Sequence, residues 1–360
     1  MSKEEKMKDQ ETKEQQPETV KSRQVSLCIC SSCISPKNCK SLQQATNTAY
    51  QIAKAACTFN VNEVIVLQKL DDESDDDNEE VELNHKKRSR KELNLNGEEL
   101  VQQRKIDSEM MLLAGLLQFF VTPPYLVESV FANSPIDVRK FSYAKKLPTI
   151  SMLPFMQANG GRGNKKYREG MTIQNMSKSR KKTASGKVKK IKKTDRMTKF
   201  VNVGLKTLLE LKQAVPKGAR VTVDMKKHTV VSPYGAYGSS GMNNSYGYQV
   251  RAATNIQTLL GQSGLPEGYD MILYSCCGEY FTTNRSTEWS KAIHPLDREE
   301  VAKLSGNILL VIIPGNDWSA IFNESKLDGK AQDLFDGSID IPSKARVEDG
   351  CMISLSKLYD

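Results

Sequence analysis

The sequence predicts an α/β protein interrupted by a small β-barrel, and three observations carry that expectation. Strand-like and helix-like patterns alternate at both ends of the chain, as a helix-covered parallel sheet requires. The middle holds short β-rich runs divided by Gly and Pro turns, without a convincing helix, which is how a small barrel reads. Hydrophobic residues make up only 38% of the 360 residues and 26% are charged, so a sizeable core is diluted by polar segments. At about 150 residues per domain, this length predicts two domains. The longest apolar stretches, Met110–Val121 and Ile308–Ile313, fall short of the ~20 residues that a membrane-spanning helix needs. The first twenty residues lack the apolar centre of a secretory signal, so the eight cysteines are read in a reducing compartment.

In chain order, Met1–Gln24 is nearly devoid of apolar residues and reads as a disordered tail. Gln24–Ser32 alternates as a strand does, and Ser41–Phe59 places Leu42, Ala45, Ala49, Ile52, Ala53 and Ala56 at amphipathic-helix spacing. Val61–Leu67 is a short buried strand, so these three form a βαβ unit. Glu98–Phe120 reads as a helix ended by Pro123 and Pro124, and Tyr125–Phe131 adds a helical turn or two. The barrel strands are Arg168–Gln174, Lys199–Lys206, Ala219–Met225 and His228–Ser232, with a turn at Val215–Gly218. Tyr234–Tyr248 is a Gly-, Ser- and Tyr-rich return linker. The α/β pattern then resumes with a strand at Tyr246–Ala252, a helix at Asn255–Gln262 and a strand at Asp270–Tyr274. A helix at Pro295–Lys303, a strand at Asn307–Ile313 and a helical turn at Ser319–Asn323 follow. A short strand at Ser338–Ile341 and a helix at Asp349–Leu358 end the chain. Periodicity does not give the order of the strands.

Charge is distributed in blocks. Asp71–Glu82 holds nine acids, with five cations straight after it, so residues 71–96 read as a solvated insertion. Lys178–Lys199 holds eleven cations against the single acid Asp195, a local excess larger than the +9 of the whole chain. Such a loop attracts polyanions through counterion release, and Arg180, Lys181, Lys182, Lys189, Lys190, Lys192 and Lys193 are its candidate RNA contacts. It is equally a nuclear-import address, as is Lys86–Lys91. The chain thus divides into a tail over 1–24, a first α/β part over 25–165 and a barrel over 166–245. A second α/β part over 246–360 carries the candidate cofactor site.

In open α/β sheets, ligands bind outside the carboxyl ends of the strands. Three loops there contain small or turn-forming residues: Ser275–Glu279, Pro314–Trp318 and Ile341–Arg346. Neither common nucleotide fingerprint, G-x-G-x-x-G or G-x-x-x-x-G-K-[ST], is present. The spacing of Cys28, Cys30, Cys33 and Cys39 lacks paired C-x2-C knuckles, so buried core thiols are favoured over a zinc site and no metal is expected. Cys276 and Cys277 are read as small pocket residues rather than nucleophiles.

An ordered set of motifs adds to this reading. Y-G-Y-x-V-R at Tyr246–Arg251 is followed by G-Y-D at Gly268–Asp270 and S-x-x-G-E at Ser275–Glu279. The strand ending in Gly at Ile308–Gly315 and the terminal R-V-E-D-G-C-M-I-S-L at Arg346–Leu355 complete it. Together they resemble the SPOUT-class RNA methyltransferases, specifically the eukaryotic and archaeal family with an inserted OB-like barrel. The resemblance implies a trefoil-knotted α/β domain, S-adenosylmethionine bound in the knot, an RNA substrate of ribosomal or pre-ribosomal origin, and a homodimer. It carries cofactor contacts onto Ser275, Gly278, Glu279, Ile313, Pro314, Gly315, Ile341, Pro342, Ser343, Met352 and Ile353. It makes Arg346 a candidate for positioning RNA and Glu348 its supporting carboxylate. Relatives often show Gly-Gly where this chain has Gly315-Asn316, and a longer third loop. A nuclear, nucleolar working place is the corresponding expectation. Met352, Ile353 and Leu355 lie on more than one side of the last helix, which independently suggests a partner copy. The alternatives are a non-catalytic ribosome-assembly factor on the same scaffold and a nucleolar interaction module driven by the charged segments.

Overall fold

The computed structural model describes residues 23–69, 108–132, 134, 136–156, 166–173, 197–237, 247–265, 267–275, 288–342 and 345–359. The tail up to residue 22, the acidic–basic insertion and most of the basic loop lie outside these residues. The first strands are β1 (Gln24–Cys30) and β2 (Glu63–Leu67). The middle of the chain supplies β3 (Tyr167–Thr172), β4 (Met197–Asn202), β5 (Leu209–Pro216), β6 (Arg220–Asp224) and β7 (Thr229–Val231). The last third supplies β8 (Gln249–Ala253), β9 (Met271–Ser275), β10 (Asn307–Ile312) and β11 (Gly337–Ser338).

Six of these form one parallel sheet in the order β11-β9-β10-β1-β2-β8. β1 lies in its middle, in register with β10 on one side (Leu27 opposite Leu310) and β2 on the other (Leu27 opposite Val64). The β1 sequence QVSLCIC explains why it is central. Val25, Leu27 and Ile29 enter one apolar cluster while Cys28 and Cys30 enter another, so both faces are buried.

Helices cover both faces. α1 (Leu42–Thr58), α2 (Ser108–Phe120), α6 (Arg298–Lys303) and α8 (Val347–Tyr359) contribute to the first cluster. α5 (Ile256–Gly261) and α7 (Gly315–Glu324) contribute to the second. Local sequence sets the boundaries. Ser41 Oγ caps α1 by accepting from the Gln44 amide, while Asn255 and Asp297 form reciprocal capping boxes at α5 and α6. Arg23 ties the start of the chain to the carbonyls of Val301, Leu304 and Leu358. Arg23 and Gln24 are therefore part of the fold rather than of the expected tail.

The other five strands form an antiparallel sheet, β5-β4-β3-β6-β7. The Lys212 amide donates to the His228 carbonyl at 3.0 Å, drawing the β5 edge towards the β6–β7 hairpin and nearly closing a barrel. Its core is small: Val201, Val203, Leu211, Val221 and Val223. β5 is absent from the sequence reading because LELKQAVP is mostly polar and ends in the expected turn. As an edge strand it tolerates both its exposed charges and Pro216. Two short helices, α3 (Val127–Val130) and α4 (Pro233–Tyr237), flank the barrel in sequence.

Two further expectations change. The short turn at Ser319–Asn323 is a ten-residue helix, α7, that begins at Gly315 because Trp318, Ile321 and Phe322 pack onto the sheet. Leu355 does not offer surface to a second copy. It is 0% exposed in the chain's own core, as are Cys351 and Leu358, whereas Met352 and Ile353 are half-buried. Leu355→Asp is therefore expected to cost about 3–5 kcal/mol of stability, from lost packing and a buried charge. Urea denaturation read by circular dichroism checks this; an unchanged midpoint would return Leu355 to the surface.

Candidate functional site

Because the large sheet is parallel, the carboxyl ends of its strands share one edge. There β9, β10 and β11 bring their exits together. Ser275, the last residue of β9, is fully buried; its Oγ lies 3.0 Å from the Ile339 carbonyl and 2.8 Å from Ser354 Oγ on α8. The Tyr274 hydroxyl donates to the Ile313 carbonyl at 2.9 Å, and the Ile339 amide donates to the Tyr274 carbonyl at 2.8 Å. One strand end thus links the exits of the other two and the last helix. Sequence reasoning misses Ser354, whose only signal is a serine beside Leu355 on the buried side of the last helix.

Of the residues carried by the resemblance, Ser275, Ile313, Pro314, Gly315, Ile341 and Pro342 converge at this edge. Ile313, Pro314 and Gly315 are buried, Ile341 is half-buried and Pro342 is exposed. Met352 and Ile353 sit half-buried on α8, and Ile341 and Met352 pack against the first core cluster. Gly278, Glu279 and Ser343 lie outside the described residues. Most of the side chains brought to this edge are aliphatic, and Gly315, the first residue of α7, adds none after β10. Pro314 caps α7 and its carbonyl accepts from the Trp318 amide at 3.0 Å, which fixes where that loop turns into helix.

Arg346 and Glu348 flank the start of α8. A guanidinium nitrogen of Arg346 lies 3.6 Å from a carboxylate oxygen of Glu348; the Arg346 side chain is 48% exposed and that of Glu348 is 6% exposed. The arginine can reach a ligand, while the glutamate faces inward. Its charge raises the thiols of Cys33, Cys39 and Cys351, although burial is the larger cause in each. Burial also pushes the Cys30 thiol to about 12, with a further push from Asp317. Buried thiols held this far from ionisation do not serve as nucleophiles. Among the described residues no group of three or more His, Cys, Asp or Glu is placed to hold a metal ion. Cys276, Cys277 and the basic candidates Arg180 to Lys193 lie outside the described residues. No described helix is long and apolar enough to cross a membrane.

A second polar network joins the barrel to the large domain. Glu169 on β3 is 0% exposed. It accepts from the hydroxyls of Thr222 (2.7 Å) and Tyr237 (3.3 Å), and lies 3.5 Å from the Arg220 guanidinium. Arg220 in turn donates to the carbonyl of Val121, just beyond α2, and lies over the Phe155 ring.

A parallel α/β domain whose strand exits are tied together by Tyr274 and the buried Ser275, joined to a small barrel, belongs here to a family of RNA methyltransferases. Residues 24–358 match the family described as "Putative RNA methyltransferase", and the chain is a member of it. The Saccharomyces cerevisiae "Putative methyltransferase YMR310C" is 34% identical over 93% of this chain and 93% of its own length. A second protein of that yeast, "Putative methyltransferase YGR283C", is 30% identical over 88% of this chain and 81% of its own length. The Drosophila melanogaster "28S rRNA (uridine-N(3))-methyltransferase" is 24% identical over 90% of this chain and 60% of its own length.

Proposed function

We propose that this protein is an S-adenosylmethionine-dependent methyltransferase of ribosomal or pre-ribosomal RNA, built on a SPOUT-like knotted α/β domain with an OB-like barrel. The observation that carries the reading is the linking of the β9, β10 and β11 exits through Tyr274 to Ile313 and through Ser275 to Ile339 and Ser354, in a chain matched to the family over 24–358. The donor, when bound, supplies an activated methyl group. Ile341, Met352 and Ile353, half-buried, would bind its apolar portion, with Ser275, Gly278, Glu279, Ile313, Pro314, Gly315, Pro342 and Ser343 shaping the loops around it. Arg346, exposed at the rim, would hold RNA, and Glu348 would orient Arg346 from below. Such a site acts by placing nucleophile and methyl group in line. The barrel's strand order supports the OB-like reading, since five-stranded partly open barrels commonly hold oligonucleotides. A nucleolar working place follows from that substrate, and a homodimer from the resemblance.

Titration calorimetry with S-adenosylmethionine, followed by transfer of a labelled methyl group to ribosomal RNA, tests the reading. Binding with transfer is expected. Binding without transfer would favour the ribosome-assembly factor, and no binding would overturn the cofactor site. Deleting residues 178–196, which leaves β4 intact, is expected to weaken RNA binding across sequences and to flatten its salt dependence, by about 0.7 in log–log slope for each phosphate that the loop would otherwise neutralise. Fluorescence anisotropy over a salt series checks this, and an unchanged slope would leave the block as an import address.

A further inference from the structure

Between α2 and the barrel, the chain runs through two 3₁₀ turns, Val138–Phe141 and Ala144–Lys146. Amides donate three residues back around each turn, Lys140 to Asp137, Ser142 to Arg139, Lys146 to Tyr143 and Leu147 to Ala144, all at 2.9–3.2 Å, and Ser142 and Tyr143 between the turns keep helical backbone angles. At three residues per turn, side chains at i and i+3 eclipse, so the segment presents three straight rows. Val138, Phe141, Ala144 and Leu147 form the inward row, with Phe141 and Ala144 buried. Phe141 stacks on Phe119 of α2 at 5.1 Å and meets Phe131 at 4.8 Å between ring centroids. Gly115 of α2 admits this close approach, because a Cβ there would come within 2.2 Å of Ile136. The ledge is therefore anchored, and its outward rows are held in place rather than free to collapse.

One outward row is Lys140, Tyr143 and Lys146, all exposed. The Lys146 ammonium sits 5.4 Å from the centre of the Tyr143 ring. The other row is Arg139, Ser142 and Lys145. Asp137 pairs with Arg139 at 2.6 Å, and among the described residues no carboxylate pairs with Lys140, Lys145 or Lys146. A tyrosine ring 37% exposed, set between two lysines with no described carboxylate at salt-bridge distance, supplies the two elements that hold a single nucleic-acid strand, a ring for a base to stack on and charges for the flanking phosphates. The spacing along such a row is about 6 Å, three residues at ~2.0 Å rise. The geometry points to the Lys140–Tyr143–Lys146 row as a single-stranded RNA contact. This rests on the RNA-methyltransferase reading for the nature of the partner, and the row itself stands on the ledge geometry.

The test uses the full chain and a fluorophore-labelled, mixed-sequence single-stranded RNA of about 20 nucleotides, read by anisotropy over a salt series. Lys140→Glu combined with Lys146→Glu is expected to weaken binding more than about tenfold at 0.1 M salt and to make the slope shallower by about 1.4, two phosphates at ~0.7 each. Tyr143→Ala is expected to weaken binding about tenfold with the slope unchanged, and Tyr143→Phe to bind as the wild type does. All three positions are exposed, and circular dichroism confirms that the variants fold. S-adenosylmethionine affinity, measured on the same samples, is expected to be equal throughout. Its absence from the wild type would sink the cofactor reading and leave the RNA comparison intact. Affinity and slope unchanged by the double reversal, or wild-type binding by Tyr143→Ala, would overturn the proposal. So would retained RNA binding with lost binding to polyglutamate, which would assign the row to an acidic protein.

Discussion

Glu169→Ala is expected to destabilise the barrel by about 3–5 kcal/mol, the usual cost of removing one partner of a buried ion pair. The carboxylate is fully enclosed, and its loss strands the Arg220 guanidinium and the hydroxyls of Thr222 and Tyr237 together. Because Arg220 also bonds the Val121 carbonyl, the effect should reach the contact with α2. The pH dependence has a definite sign. Burial holds the Glu169 carboxyl above its ordinary value of 4.5, against the opposing pull of Arg220 and the two hydroxyls. Between 4.5 and that raised value the native chain keeps a proton that the unfolded chain has released. Stability is thus full below 4.5 and declines as pH rises through the folded value. Glu169→Gln cannot ionise and should lack this decline. Urea unfolding at several pH values between 4 and 8 reads both effects. A Glu169→Ala midpoint equal to wild type would show that the network carries no stability.

Gly315→Val should weaken S-adenosylmethionine binding about 10- to 100-fold with little loss of fold. Gly315 is buried where β10 passes into α7, and its φ is not in the left-handed region, so valine is sterically possible for the backbone. What changes is the room beside the strand exits. Added methyl groups in a filled site cost ~1–3 kcal/mol, which in affinity is about one to two decades. Calorimetry on the variant, with a thermal melt as control, separates the two. Wild-type affinity in a folded Gly315→Val protein would remove the β10 exit from the cofactor site.

Local pattern made most of the secondary structure legible. The alternation of QVSLCIC, the helical spacing from Leu42 to Ala56 and the run NILLVI each dictate one element, since each buries its apolar atoms in only one conformation. α7 and β5 escaped for opposite reasons. Gly315, Asn316 and Asp317 read as turn residues until Trp318 and Phe322 are packed on the sheet. The polar β5 is held by its neighbour β4 and not by its own hydrophobicity. The site was half legible. Small residues marked the three loops, whereas Ser354, through which α8 meets Ser275 at the β9 exit, is an ordinary serine until the helix is docked.

Sequence pattern alone fixes most of the strands and helices, apart from β5 and the extent of α7, as well as where charge is concentrated and that a barrel interrupts two α/β parts. Those properties depend on neighbours within a few residues. That β10, from the far end of the chain, lies beside β1 and completes the middle of the sheet is a matter of long-range packing. The tertiary structure also decides that Leu355 is interior and that Lys140, Tyr143 and Lys146 fall in one row. The physical reason is that side-chain period specifies which faces must be buried, while the identity of the covering surface depends on contacts between residues far apart in the chain.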